Sequence, residues 1–341
     1  MTVIRKIEES GSTRWNEFVC RHPKATIVHL YEWLLAIKGS YGLEILHLAA
    51  EEDGTIVAVL PVAVMKAPLR RPSGLSLPYS GYAGFLVADG VDRDTLFGDF
   101  QKSLSRHGLA TTEVRQLAGE GDDGGTDVTM KLALPPSGEL LWKQLDAKVR
   151  NLIRKAERSG LITRWGLEQL DDFYQIYARN MSRLGTPVHS KAFFSEICQQ
   201  MRDKVDILSV LKDGRAIASM FVLKFRNQIA GPWASSLRQF DSYSPNMLLY
   251  WEALRYGCEN GFDEFDFGRS QRDSGTEKFK RQWGARPIAI EYLVMTEEGN
   301  RRLDSLALYS SSRARLLSRL WKWIPYRLAL RLGPRIRKYL P

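Results

Sequence analysis

The stretch FDFGRSQRDSGTEKFKRQWGA, residues 265–285, decides how this chain is read. It starts as a buried strand, Phe265-Asp266-Phe267, and breaks at Gly268. It then carries Arg269, Arg272, Lys278, Lys280 and Arg281 on to Trp283-Gly284. Strand alternation sets Asp266 opposite Phe265 and Phe267. That suits a carboxylate at the mouth of a site, and equally a structural acid that accepts backbone N–H bonds. Gly268 and Gly275 permit positive φ or close backbone approach. The stretch therefore reads as a strand ending in a flexible basic loop, where N–H groups and Lys280 can meet an oxyanion or a phosphate. A solvated turn is the simpler alternative.

Upstream, EILHLAAEEDGTIVAVLPVAVMK reads as strands 43–50 and 55–65 joined at Asp53-Gly54, and VDILSVLKDGRAIASMFVLKF as a second hairpin over Asp213-Gly214. A helix near 92–107 and strands near 111–117 and 127–134 lie between them. GEGDDGGTD reads as a loop, and Pro135-Pro136 as a domain boundary. SGELLWKQLDAKVRNLIRKAERSG reads as one long helix capped by Ser137 and ended at Gly160. Helices near 169–183 and 190–202 follow, then the strand NQIAGPWASS and the helix PNMLLYWEALRYGCENG. Both hairpins precede a strand and then a helix, so the order of elements suggests two copies of one α/β unit.

The chain has 341 residues, enough for two domains, with a globular composition of 44% hydrophobic and 26% charged residues. Cys20, Cys198 and Cys258 are scattered and read as buried thiols in a reducing compartment. Histidine spacing offers no metal site, and the N-terminus shows no apolar signal region. The formal charge of +10 is concentrated at one end: residues 305–341 hold nine Lys/Arg and no acid, leaving about one positive charge for the rest.

In KVRNLIRKAERSG, Arg150 and Arg154 share a helix face, with Asn151 and Lys155 beside them. Guanidinium forks suit phosphates, while a solvated helix face is the plainer reading. KVRNLIRKAERSGL, the helix LLYWEALRYGCENG running into FDEFDFGRS, and GTEKFKRQWGA together resemble the Fem (FemAB-like) family of non-ribosomal peptidyl and aminoacyl transferases. They are most similar to its exopolysaccharide and envelope-sorting subgroup. The similarity covers roughly residues 40–300, and SLPYSGYAG and LGTPVHSK also look like positions of that subgroup.

The resemblance implies an α/β (mixed α+β) fold of two tandem acetyltransferase-like (GNAT) domains. These would be residues 1–135 and 136–300, followed by a basic amphipathic tail over 301–341. It places Lys280 of the FK-x-x-W-G motif as the residue that steadies negative charge during acyl transfer to an amine; Asp266, read from its place between the two phenylalanines, is the second candidate catalytic residue. Asp266, Glu277 and His189 are candidates to take the amine's proton. Arg150, Asn151, Arg154, Lys155, Arg269 and Tyr79 are the implied substrate-binding residues. The chain lacks the long helical arm that some members insert, and its catalytic half lacks the R/Q-x-x-G-x-G/A loop of acetyl-CoA enzymes. The donor is therefore left open between aminoacyl-tRNA and acyl-CoA, with no tightly bound cofactor.

In the tail, Leu316, Leu317, Leu320, Trp321 and Ile324 can form one apolar face beside Arg315, Arg319 and Lys322, with a break at Pro325. Such a helix suits an anionic membrane interface. Docking on the protein body, or a grip on tRNA phosphates, are alternatives. The reading as a whole is a cytoplasmic protein, peripheral on the inner face of the membrane, that forms an amide on a phosphate-bearing envelope or exopolysaccharide precursor. Rival readings are an acyl-CoA-dependent N-acyltransferase of amino sugars and a non-catalytic assembly factor.

Overall fold

Two aspartate–glycine turns organise the sheets. Asp53 and Gly54 have φ of 47° and 79°, and Asp213 and Gly214 have 51° and 77°. Left-handed values at both central residues define the type I′ turn, whose twist matches that of the strands it joins. The computed structural model describes residues 2–66, 71–119, 125–296, 298–303 and 318–340. They fall into two units: Met1–Gly125 with Ala289–Tyr309 and Arg337–Pro341, and Thr126–Ile288 with Ser310–Ile336.

The first unit begins with β1 (Val3–Lys6), α1 (Ser12–Arg21) and α2 (Tyr31–Tyr41). The first hairpin follows, β2 (Glu44–Glu52) and β3 (Thr55–Met65), then the short β4 (Ser73–Leu75) and β5 (Leu86–Val87). The helix α3 (Arg93–Arg106) starts where the Asp92 carboxylate accepts the N–H of Asp94, and β6 (Thr111–Leu117) pairs parallel with β4. Phe97, Phe100 and Leu104 of α3 pack on Leu46, Leu48, Leu60 and Val62 of the hairpin.

In this unit His29 and His47 are buried, and His47 stacks on Tyr31 with ring centroids 3.7 Å apart. Burial pushes the His29 imidazole from 6.5 down to about 4, and that of His47 down to about 3. Both pKa values are lower folded than unfolded. Below pH 6.5 the unfolded chain takes up protons that the folded chain refuses, so stability falls as pH drops. Between pH 6.5 and about 4.5, before most carboxylates titrate, urea-unfolding stability should decline by up to ~2.7 kcal/mol per pH unit, the slope for two protons. His47→Phe should roughly halve that slope. A slope that His47→Phe leaves unchanged would remove this histidine as a cause.

The second unit runs β7 (Asp127–Ala133), α4 (Gly138–Gln144), α5 (Ala147–Arg158), β8 (Ile162–Trp165), α6 (Leu170–Leu184) and α7 (Lys191–Gln200). The second hairpin, β9 (Val205–Lys212) and β10 (Arg215–Phe225), is followed by β11 (Gln228–Ser236), α8 (Pro245–Glu259), β12 (Glu264–Gln271) and α9 (Gly275–Arg281). Strand order is β7-β12-β11-β10-β9-β8, antiparallel except for the parallel β11–β12 pair. Alternation along β10 divides the packing. Met220 and Val222 join the core under α5 and α8, while Phe221 meets Phe173 of α6.

Four expectations change here. The single helix over 137–160 is two, because Leu145 and Asp146 are extended (ψ 144° and 148°). The bend lets Leu141, Leu145 and Val149 all reach the core around α8. Residues 275–281, expected in a loop, are the helix α9. Of the three thiols only Cys258 is buried; Cys198 is half-buried and Cys20 exposed. The expected boundary at Pro135-Pro136 lies beyond the observed division at 125/126, since β7 pairs with β12 and so belongs to the second unit. Of the loop 119–127, residues 120–124 lie outside the described residues.

β13 (Arg286–Thr296) pairs with β6 through Ile290–Thr296, and β14 (Gly299–Leu303) adds to it, so residues 289–303 return to the first unit. Residues 318–321 are helical, and α10 (Tyr326–Arg337) follows. Trp321, Ala329 and Gly333 are buried. A Cβ on Gly185 would stand 2.3 Å from the Ser318 carbonyl oxygen, and one on Gly333 would stand 2.9 Å from Val188 Cγ2. Glycine at both positions lets this segment seat closely on residues 185–188 of the second unit. Leu316 and Leu317 of the expected apolar face lie outside the described residues.

Candidate active site

Strands β11 and β12 start as parallel partners and then part. Their register holds only for Gln228↔Glu264, Ile229↔Phe265 and Ala230↔Asp266. Two residues beyond, Pro232 has no N–H to give. The N–H of Gly268 turns back to Oδ1 of Asp266 at 2.7 Å. Gly268 has φ 75°, and its pairing with β7 breaks in a bulge between Asp266 and Arg269. A Cβ there would stand 3.4 Å from Pro232 Cα, so glycine serves both the turn and the close approach.

The chain then reverses through Asp273 (φ 60°) into α9. Ser274 Oγ accepts the Glu277 N–H at 3.2 Å, and Glu277 Oε2 accepts the Asp273 N–H at 2.6 Å, a reciprocal cap. Arg281 Nη2 donates to Glu277 Oε1 at 2.7 Å. Burial works to raise the Glu277 pKa, but Arg281 and the Asp273 N–H hold it below the usual carboxylate range. Glu277 is thereby committed to the helix start.

This short helix carries Lys280 back to the parting strands. Its Nζ donates to the carbonyls of Gly268 at 2.8 Å and Arg269 at 3.0 Å. The side chain is only 7% exposed. Burial drops its pKa from 10.5 to about 8, the Asp266 carboxylate offsets part of that, and Arg269 adds to it. Asp266 lies behind, buried, and accepts the Thr129 hydroxyl at 2.7 Å as well as the Gly268 N–H. Two of the ammonium's three N–H bonds are held by carbonyls among the described residues, which leaves one for a group in front of it.

In front lies a cavity of about 290 Å³, lined by Asn180 and Arg183 of α6, Ser235 and Ser236 of β11, Arg238 and Asp241 of the turn that follows it, Asn246 and Tyr250 of α8, and Thr276, Phe279 and Lys280 of α9. Asn180 Nδ2 donates to Ser235 Oγ at 3.1 Å, and Arg183 Nη2 to Asn180 Oδ1 at 2.9 Å. Asn246 Nδ2 donates to Ser236 Oγ at 2.9 Å. Tyr250 stacks on Phe267, with centroids 5.5 Å apart, and burial holds its phenol pKa above the ordinary value, so it stays a donor. Three cations against one carboxylate give a lining suited to an anionic ligand. Larger openings of about 390 and 580 Å³ occur in the first unit, walled by surface residues such as the ion-paired Arg14 and Lys102. Neither holds a buried cation like Lys280 among its lining residues, so chemistry rather than volume selects the smaller one.

Of the residues singled out in the sequence, Lys280 lines this cavity, and Asp266 and Arg269 support it from behind. Arg269 does so through its carbonyl, while its guanidinium stands 3.6 Å from Asp127. Arg150, Asn151, Arg154 and Lys155 lie on α5 and are not among the lining residues. Arg150 donates to the Trp142 carbonyl at 3.3 Å, and Arg154 lies 5.3 Å over the Trp142 ring and reaches Asn151. Tyr79 belongs to the first unit, with φ 68°, its hydroxyl donating to the Lys338 carbonyl. His189 is buried against Phe193, with centroids 4.7 Å apart. Sequence reading missed Arg183, Arg238, Ser235, Asn246 and Tyr250. They come from four separate segments; Ser235 lay in the quoted strand NQIAGPWASS, Asn246 and Tyr250 in the quoted helix PNMLLYWEALRYGCENG and Arg183 just before LGTPVHSK, but none of these stretches was quoted for a site. Among the described residues no group of His, Cys, Asp and Glu could hold a metal ion.

Residues 143–281 match the family model described as an acetyltransferase (GNAT) domain, a span that takes in Lys280 and the whole lining of its cavity. No curated protein matches the chain. Among solved structures the fold is similar to FemX, at 13% identity and TM-score 0.66, over 90% of this chain and 99% of that one. It is also similar to a tandem GNAT protein from the clavulanic acid biosynthesis pathway, at 11% identity and TM-score 0.53, over 86% of this chain and 98% of that one. A third likeness is to the C-terminal domain of a putative lysylphosphatidylglycerol synthetase from Agrobacterium fabrum, at 13% identity and TM-score 0.54, over 84% of this chain and 91% of that one. What is shared at such identities is the fold. The protein has an α/β fold of the GNAT/Fem type, with a GNAT-like acetyltransferase domain in its second unit.

Proposed function

We propose that the protein transfers an acyl or aminoacyl group to an amine of an anionic cell-envelope or exopolysaccharide precursor. The observation that carries this reading is Lys280: a buried ammonium, clamped by two carbonyls where β11 and β12 part, facing a cavity lined by Arg183 and Arg238. In the reaction the amine nitrogen bonds to the acyl carbon, and the carbonyl electron pair moves onto oxygen beside the Lys280 ammonium. Collapse expels the ester alkoxide or thiolate, which takes up the proton that the amine gives up. The two arginines hold the substrate's acidic group, and Tyr250 offers a second neutral donor.

This chemistry needs positioning and charge stabilisation rather than a covalent intermediate. A second reading has acyl-CoA as the donor and an amino sugar as the acceptor; the match of residues 143–281 to an acetyltransferase domain supports its acyl donor alone. A thermal-shift panel of aminoacyl-tRNA and acyl-CoA thioesters, followed by mass spectrometry for the amide product, separates the two. A flat response with no product across both donor classes would overturn the transferase reading in favour of a non-catalytic assembly factor. With a donor in hand, Arg183→Ala and Arg238→Ala should each raise KM for the anionic substrate about tenfold or more, with a smaller change in kcat. An unchanged KM in both would place the acidic group elsewhere.

A further inference from the structure

The docked C-terminal segment buries one face and leaves a second apolar face uncovered. In α10 three adjacent i, i+4 rows have different characters. Ala329 and Gly333 form the buried seam. The next row, Leu328, Leu332 and Ile336, is 48%, 39% and 39% exposed. The row beyond it is Arg327, Arg331 and Arg335, all exposed. One turn upstream Trp323 is 86% exposed, with Lys322 beside it. Packing on the protein therefore does not account for the apolar row, because the seam is formed by other residues.

Residues 318–340 contain no Asp or Glu, and among the described residues Lys322, Arg327, Arg331 and Arg335 have no carboxylate partner. An apolar row bordered by unopposed arginines, with an exposed tryptophan at its edge, is the pattern of a helix lying in the headgroup plane of an anionic bilayer. Among the described residues no helix is long and apolar enough to cross a membrane, so attachment here lies along the surface. We propose that α10 and Trp323 bind the second unit to an anionic phospholipid surface. Leu328, Leu332 and Ile336 enter the acyl boundary, and Arg327, Arg331 and Arg335 meet the phosphates. An anionic surface fits better than nucleic acid because phosphate binding gives the exposed leucines nothing to do. The proposal requires no step of acyl transfer.

The test is co-sedimentation of the full chain with vesicles of phosphatidylcholine alone or with about one third phosphatidylglycerol, a typical anionic fraction. Binding to the anionic vesicles should be about tenfold or more stronger, and should weaken as salt rises. The double variant Leu328→Glu/Leu332→Glu and the single variant Trp323→Ala should each reduce it about tenfold or more, while thermal unfolding stays near the parent's because these side chains face solvent. No preference for anionic vesicles overturns the proposal. So does binding that survives Leu328→Glu/Leu332→Glu, or binding to tRNA that competes with vesicles and depends on the arginines alone. None of these readouts measures turnover, so failure here leaves the acyl-transfer reading intact, and failure of that reading leaves this one testable.

Discussion

Lys280→Met is expected to lower kcat by about 10²–10³, the usual loss when one oxyanion donor is removed, with little change in KM for the anionic substrate. The reason is its placement: the ammonium is held by the Gly268 and Arg269 carbonyls at the cavity wall and has no part in gripping a remote acidic group. Loss of these bonds leaves two carbonyls short, at a cost of about 1–3 kcal/mol, partly offset by no longer burying an ammonium. The variant should therefore fold, with a Tm only a few degrees lower. The pH profile adds a readout that a structural lysine would not move. With a folded pKa of about 8, Lys280 loses its proton above that pH, so the parent's kcat should fall on the alkaline side. In Lys280→Arg that falling limb should vanish, because guanidinium keeps its charge, while the rate stays reduced through altered geometry. Near-normal turnover in Lys280→Met would remove the residue from the mechanism.

The second large effect is expected from Asp266→Asn. Asp266 Oδ1 accepts the Thr129 hydroxyl and the Gly268 N–H, and an asparagine oxygen can keep both bonds. The substitution thus isolates the charge. Without it, the Lys280 ammonium loses the group that raises its pKa against burial, so the alkaline limb of kcat should shift down by about one pH unit or more. Removing one charge of a buried set typically costs about 3 kcal/mol at the lower end, which for a unit of this size lowers Tm by about 6–12 °C. The loss should be largest where Lys280 is fully protonated, below pH 7, and should ease as the pH rises through its lowered pKa. An unchanged Tm at pH 6.5 together with an unmoved limb would show that Asp266 does not compensate Lys280.

The two predictions trace back to features of unequal visibility. Lys280 stood out because the stretch FK-x-x-W-G, after a strand that breaks at glycine, resembles the motif of the Fem family, and that resemblance is readable along the chain. Asp266 was visible only as an acid between phenylalanines; its role depends on Thr129, far away in sequence on β7. Helix α9 was hidden because its seven residues carry no full apolar period, and its stability comes from the Ser274–Glu277 cap and from Phe279 and Trp283 packing on Tyr250. The long helix over 137–160 failed for the opposite reason. Its period was continuous, but three leucine and valine positions reach the core only if the chain bends at Leu145-Asp146.

Local chemistry in the sequence was enough to determine the two hairpins, since an Asp-Gly pair admits left-handed φ and period-2 alternation follows on each side. It also determined the basic tail and the position of the motif lysine. Only the tertiary structure decided where Arg183, Arg238, Asn246 and Tyr250 meet, because they lie on elements whose spacing along the chain carries no shared period. The partition of the tail was likewise a tertiary matter. Sequence periodicity shows that apolar residues recur every fourth position, but not which of two adjacent rows is taken up by the protein. That choice fell to the glycines, Gly333 and Gly185, whose missing side chains let the Ala329 row, and not the Leu328 row, come close enough to be buried.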